Sequence, residues 1–439
     1  MSDRSVGIVG GGILGMTAAY RLARAGVAVT LYEASDNLGG LVGSFDFRGL
    51  PADRFYHVIL PTDDRVIGLA DEVGLGDRFR FRPTKVGFYD DGRLFSMTSL
   101  REFMTFPLLA AHDRMRLAAF VARCQLPSGH DRLDDVPLEE WLQRLCGRRA
   151  VERLWRPLLD SKFDGRFDDL PATYIWARTR RMSNVRDSGG RELMGWLEGG
   201  YQTLIDALEE RIRALGGEIR RSTRVSRITV EHGRAGIAVN DRFRWFDSVL
   251  CTLAPTQAEQ LFAPDLRLRL PADRFRYLGV VCLLLRLTRS LSPYYHLNIT
   301  DRRVPLTTIV ETTHVVDPDA VGGTLVYASK YVDPMHEDFD RPADLVESDY
   351  LRHVHRVFPE LKPEHILASV VQRARVVEPV HTLGGAKNVP DMFPLPRLAL
   401  ASTAHVYPEI VSGQAVSGVA ERVVEGLLDR LEPCTRLAA

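Results

Sequence analysis

The chain has 439 residues, 45% of them hydrophobic and 26% charged, with 57 basic against 57 acidic side chains. That hydrophobic content excludes a disordered chain, and the zero formal charge leaves no global field to draw nucleic acid or an anionic membrane. At about 150 residues per domain, the length predicts two or three domains. Only five basic residues are lysines, Lys85, Lys162, Lys330, Lys362 and Lys387, so chemistry that needs a lysine must use one of them. The five cysteines, Cys124, Cys146, Cys251, Cys282 and Cys434, are scattered and form no CxxC pair. They argue against a disulfide framework or a zinc site and for a reducing compartment. The opening residues carry no signal-peptide pattern. The longest apolar run, Leu278 to Leu285, is far shorter than the ~20 residues of a spanning helix. A soluble, cytoplasmic protein is the expectation.

In chain order, Ser5 to Val9 reads as a short apolar strand, Gly10-Gly11-Gly12-Ile13-Leu14-Gly15 as a turn, and Met16 to Ala25 as a helix ended by Gly26. A second strand, Val27 to Tyr32, closes on Glu33. A GxGxxG between strand and helix, with an acid about 20 residues on, is the setting of a dinucleotide-binding turn. Gly10 permits the tight turn, Gly12 lets a pyrophosphate approach the backbone, and Gly15 lets helix and strand pack closely. The helix N-terminus offers N–H groups to the phosphates, and Glu33 would accept the ribose hydroxyls and repel a 2′-phosphate. Ala34 to Gly40 continues directly from the acid, and its Gly39-Gly40 pair would fold back on the phosphates. That predicts FAD rather than NAD.

Gly39-Gly40-Leu41-Val42-Gly43-Ser44, following Glu33, resembles the large FAD-dependent family of amine oxidases, protoporphyrinogen oxidase, phytoene-type desaturases and UDP-galactopyranose mutase. Leu41 stands where amine oxidases carry arginine, so the resemblance points to the other branches or to a divergent member. The runs Phe55-Tyr56-His57, Tyr294 to Asn298 and Ile309 to Thr313 are similar to a bacterial protoporphyrinogen-oxidase-like subgroup. The family interleaves two domains. The resemblance therefore implies an α/β fold, with a Rossmann-like FAD-binding domain from 1–85, 195–260 and 376–439. An α+β substrate domain, antiparallel sheet plus helical cap, would come from 86–194 and 261–375. Leu204 to Leu215 reads as a helix, 218–220 and 223–228 as strands, and Val230 to Val249 as a meander. Val225 matches the position whose backbone contacts adenine in relatives. Leu398 to Ser402 reads as a strand and Gly413 to Leu431 as a long helix whose start, with Val411 and Ser412, would face the flavin. Leu278 to Leu287, Thr307 to Thr312 and Thr324 to Ser329 read as strands, and Ser348 to Val357 as a helix.

The cofactor set expected is Gly10, Gly12, Ile13, Leu14, Gly15, Glu33, Ala34, Gly39, Gly40, Leu41, Tyr56, His57, Val225, Val411 and Ser412. His57 is either a base beside the flavin ring or a loop histidine that satisfies backbone. Glu311, flanked by apolar residues, is a site carboxylate or points outward from an edge strand. Tyr295 and Asn298 could line the same pocket. Lys330 is the lysine best placed to hold a water by the flavin, while Lys162 would form a salt bridge inside the cap. The Arg178-Thr179-Arg180-Arg181 cluster reads as a solvated face, or as a holder of a substrate phosphate or carboxylate. No metal or nucleophile motif is present. The function expected is an FAD-dependent oxidoreductase acting on a CH–NH or CH–CH bond of a small bacterial metabolite, with oxygen or another acceptor. A sugar-nucleotide mutase using reduced flavin and a non-catalytic FAD-binding partner protein are the alternatives.

Overall fold

The computed structural model describes residues 4–126, 131–183, 185, 191–264 and 274–431. Cys434 lies outside them, and the other four cysteines are free and buried. Among the described residues, five parallel strands form one sheet in the order Leu398–Leu400, Ser248–Cys251, Ser5–Val9, Ala28–Tyr32, Glu218–Arg220. Apolar strands of this kind bury both faces, so helices must cover them. Ile13–Arg24 does so, packed between Tyr201–Ala214 and Gly413–Leu431 in one core with Ile8, Leu31 and Leu250. The opposite face carries the expected meander, Arg227–Glu231, Arg234–Val239 and Arg242–Phe246, joined to the sheet through Tyr32, Val249 and Phe246.

A second sheet of seven described strands runs Ile366–Val380, Arg276–Leu287, Thr324–Val332, Thr308–Glu311, His296–Ile299, Val86–Asp90, Arg93–Ser96. All its pairings are antiparallel except that of His296–Ile299 with Val86–Asp90. The apolar run around Leu283 is thus a central strand, buried from Tyr277 to Leu287. The Ala343–Val357 helix covers one face through Val346, Tyr350 and Val354. Helices Ala111–Cys124, Leu138–Cys146, Arg156–Phe163 and Thr173–Ser183 form the cap around Phe120, Trp141, Leu154 and Phe163. No helix among the described residues is long and apolar enough to cross a membrane.

Several expected boundaries move. The limit at 376 falls inside Ile366–Val380, which stays paired with Arg276–Leu287 as far as Val380. The limit at 195 falls inside Leu193–Leu197, which pairs with Phe79–Pro83. Residues 223–226 form no strand, because the Thr223 N–H donates to the Glu33 carbonyl at 2.8 Å and ties this segment to the loop after Tyr32. The helix expected from Ser348 begins at Ala343, directly after Pro342.

Candidate active site

Four neighbouring parallel strands end at one place. Gly10 follows Ser5–Val9, Glu33 follows Ala28–Tyr32, Thr252 follows Ser248–Cys251, and Ser402 follows Leu398–Leu400. All four residues line a single cavity of about 730 Å³. The crevice beyond the carboxyl ends of parallel strands is where open α/β sheets bind ligands. The cavity then passes between the cap and the inner face of the seven-stranded sheet, where Lys162, Tyr174, Arg178, Tyr295, His296, Tyr331 and Glu378 line it.

At the parallel-sheet end the backbone is bare. Gly10 has φ +108°, which a side chain resists, and its N–H donates to the Tyr32 carbonyl at 2.9 Å. Gly15 packs so tightly that an added Cβ would lie 2.0 Å from the Gly10 carbonyl oxygen. A Cβ on Gly12 would meet nothing within 4 Å, and Gly12 precedes the Ile13–Arg24 helix with no side chain capping it. An uncapped helix start with open space before it suits an anionic pyrophosphate. Glu33 Oε2 accepts from the Gly11 N–H at 2.7 Å, and Oε1 accepts from the Ser35 N–H at 2.8 Å. The carboxylate is thereby fixed at the cavity wall with lone pairs to spare for a ribose. Ser412 Oγ accepts from the Ala415 N–H at 3.2 Å and sets the start of Gly413–Leu431 against the same cavity. These residues fit a dinucleotide.

The inner end is aromatic and polar. His57 Nδ1 lies 2.9 Å from the Phe55 carbonyl, so Nδ1 carries the proton and Nε2 is an acceptor. Burial pushes the His57 pKa down to about 4, and the ring packs edge-on to Tyr201 at 5.5 Å. His296 is pushed down to about 3, first by burial and then by the Arg178 and Lys162 charges. Both histidines are neutral near pH 7. Lys162 pairs with Glu378 and lies 3.3 Å over the Tyr331 ring. Asp53, behind this wall beside Tyr201 and Tyr295, is pushed up to about 7 by burial.

Of the expected residues, Gly10, Gly12, Ile13, Leu14, Glu33, Gly39, Gly40, Leu41, Tyr56, His57, Tyr295, Asn298, Val411 and Ser412 line the cavity. Gly15 stands behind the turn, Ala34 is exposed at its edge, and the Val225 side chain is in the core with Tyr32 and Val249. Two expectations fail on geometry. Side chains alternate along a strand, and on Thr324–Val332 it is Ser329 and Tyr331 that line the cavity. Lys330 therefore sits on the far face, 3.2 Å from His336 Nε2 and 3.9 Å from Asp338. Glu311 lies outside the cavity lining too, because its carboxylate accepts from the Leu291 N–H at 3.1 Å and faces His314 at 3.4 Å. Lys162 makes the salt bridge expected of it, but at the cavity wall. Arg54, Tyr174, His296, Tyr331 and Glu378 line the cavity without having been singled out. The alternation that removes Lys330 is the signal that would have found Tyr331.

The sequence profile of the family described as flavin containing amine oxidoreductase matches residues 15–421. The coproporphyrinogen III oxidase of Mycobacterium leprae (strain TN) is 32% identical over 238 residues, covering 48% of this chain and 52% of that one. The chain thus spans about half the length of the curated relatives it matches. A protein of Exiguobacterium sp. 255-15, provisionally assigned as a protoporphyrinogen oxidase, shares the fold with a TM-score of 0.76 at 22% identity, over 97% of this chain and 99% of that one. Reduced UDP-galactopyranose mutase shares it with a TM-score of 0.73 at 16% identity, over 97% and 96%. At these identities the two structures show the fold alone. The profile match over residues 15–421 settles the family: this chain belongs to the flavin-containing amine oxidoreductases.

Proposed function

We propose that the protein is an FAD-dependent oxidoreductase that removes two electrons from a CH–NH or CH–CH bond of a small metabolite. The observation that carries this reading is the continuity of one cavity, from the bare glycine turn and Glu33 to a wall of tyrosines and neutral histidines. FAD, when bound, accepts the electron pair, and the chain need only bind, orient and exclude water. In this reading Gly10 to Leu14, Glu33, Gly39 to Leu41, Val411 and Ser412 hold the dinucleotide. Tyr56, Tyr174 and Tyr331 shield the inner end from solvent. His57 offers an unprotonated Nε2 to a proton leaving the substrate, a role open to a neutral imidazole. Lys330 and Glu311 have no part in it. A porphyrinogen, the substrate class in the names of the half-length relatives, is a first candidate. Oxygen or a second acceptor would complete the cycle.

Purified protein should take up FAD, turn yellow and bleach anaerobically with a true substrate, then recover its absorbance with an acceptor. A protein that never acquires flavin absorbance in excess FAD would refute the reading. Conversion of a sugar nucleotide after dithionite reduction, with no acceptor consumed, would replace it with the mutase chemistry of the same fold.

A further inference from the structure

Gly199 and Gly200 turn at φ +83° and +76° and deliver Tyr201 to the first position of the Tyr201–Ala214 helix. The Tyr201 side chain is 3% exposed and lines the cavity. Among the described residues its hydroxyl makes no hydrogen bond. Asp63, whose charge reaches it, is already taken: its carboxylate accepts from Arg181 at 2.6 and 3.0 Å and from the Leu60 N–H at 2.9 Å. Burial holds the Tyr201 pKa well above the ordinary phenol value, so the hydroxyl keeps its proton and can donate it to an acceptor. Most other tyrosines on the wall are engaged. Tyr56 and Tyr331 share a hydrogen bond, and the Tyr174 hydroxyl lies 3.5 Å from Glu378. Tyr295 also lacks a partner, but it stands at the inner end, just before the His296–Ile299 strand.

The hydroxyl adjoins the start of Gly413–Leu431. A Cβ added to Gly413 would lie 2.4 Å from it, which is why a glycine stands there. The Gly413 N–H has no partner among the described residues either, and the 19-residue helix turns its positive end to this stretch of wall. Two free donors thus lie close together. A buried donor left unsatisfied costs free energy, and it persists where a ligand brings the acceptor. The Tyr201 ring packs edge-on to His57 at 5.5 Å, which puts it where the dinucleotide end of the cavity meets the inner end. At the glycine turn, the bare helix start and Glu33 already match a pyrophosphate and a ribose. The part of FAD left for Tyr201 is its redox-active ring, whose edge carries oxygen and nitrogen acceptors.

Resting on the oxidoreductase reading of this cavity, we propose that the Tyr201 hydroxyl donates a hydrogen bond to the flavin ring of FAD, and so both holds the cofactor and favours its reduced form. The second effect follows from the first. Electrons entering the ring make its acceptors more negative, and a neutral donor beside a positive helix end stabilises that charge.

The test compares the parent with Tyr201→Phe, which keeps the ring and removes only the oxygen. Without FAD the two should unfold at the same urea concentration, because no hydrogen bond within the protein is lost. FAD, followed by the quenching of its fluorescence, should bind Tyr201→Phe about tenfold more weakly. ADP, followed by calorimetry, should bind both alike, because the hydroxyl serves the ring and not the phosphates. The flavin midpoint potential of the variant should be lower. Equal FAD affinity, an unchanged potential, or a lower urea midpoint without FAD would each overturn the proposal. So would an equal loss of ADP affinity, which would move the hydroxyl to the pyrophosphate. A parent protein that takes up no FAD sinks the oxidoreductase reading and the proposal together, whereas a parent and variant that take it up equally well sink the proposal alone.

Discussion

The two inner glycines of the first turn do different jobs, and their surroundings separate them. A methyl group on Gly15 would meet the Gly10 carbonyl oxygen at 2.0 Å, and backbone cannot yield there without shifting the turn. A methyl on Gly12 would meet only open space, and its φ of −69° suits any residue. Gly15→Ala should therefore destabilise the protein by about 3 kcal/mol or more, with or without cofactor, as overpacking does. Gly12→Ala should unfold like the parent in the absence of FAD and bind FAD at least about tenfold more weakly, because its methyl occupies phosphate space. Chemical unfolding of both variants, with and without FAD, checks this. A Gly12→Ala protein that binds FAD normally would show that the pyrophosphate lies elsewhere.

Elements decide which side chains reach the site, and here sequence and structure part company. The glycine turn was legible because its chemistry is local: strand, turn, helix and acid lie within about 30 residues and act largely through backbone. The inner end was not, because Lys162, Arg178, His296, Tyr331 and Glu378 come from two helices and three strands spread over the chain. Lys330 is the instructive failure, since a one-residue step along a strand exchanges one face of a sheet for the other. Cap and cofactor-side segments also meet through a residue that no motif marks. Asp134 accepts from Thr173 Oγ1 at 2.7 Å, from the Ala386 N–H at 3.2 Å and from the Tyr407 hydroxyl, just ahead of Val411 and Ser412. Asp134→Ala leaves the buried Thr173 hydroxyl without this partner, so stability should drop by about 1–3 kcal/mol. FAD should also leave faster, as the loop before Gly413–Leu431 loses its tether. Stopped-flow release of FAD together with urea unfolding reads both effects. An unchanged release rate would mean that the loop is held by its other contacts.

For the whole molecule, buried and half-buried histidines set the response to acid. His57, His381 and His405 are pushed down to about 4 and His296 to about 3, in each case first by burial. At His405 burial is joined by the nearby Arg422 charge, which opposes a second positive charge. The sign follows from linkage. An unfolded histidine binds a proton near pH 6.5 and the folded one only near pH 4, so in that window the unfolded state holds more protons. Stability from these groups is fully present above about pH 6.5 and is lost as pH falls toward about 4. Asp53 opposes them, since a carboxyl raised to about 7 binds its proton earlier when folded, and Glu311, also raised by burial, acts in the same sense. The four histidines outweigh these two acids. Unfolding free energy should therefore decline by roughly 1–3 kcal/mol per unit between about pH 6.5 and about pH 5. FAD should steepen the decline, because a bound cofactor keeps water from His57 at the cavity wall. Urea unfolding across that range, with and without FAD, measures both slopes. A midpoint that holds steady or rises on acidification would mean that the histidines are not buried in solution as they are here.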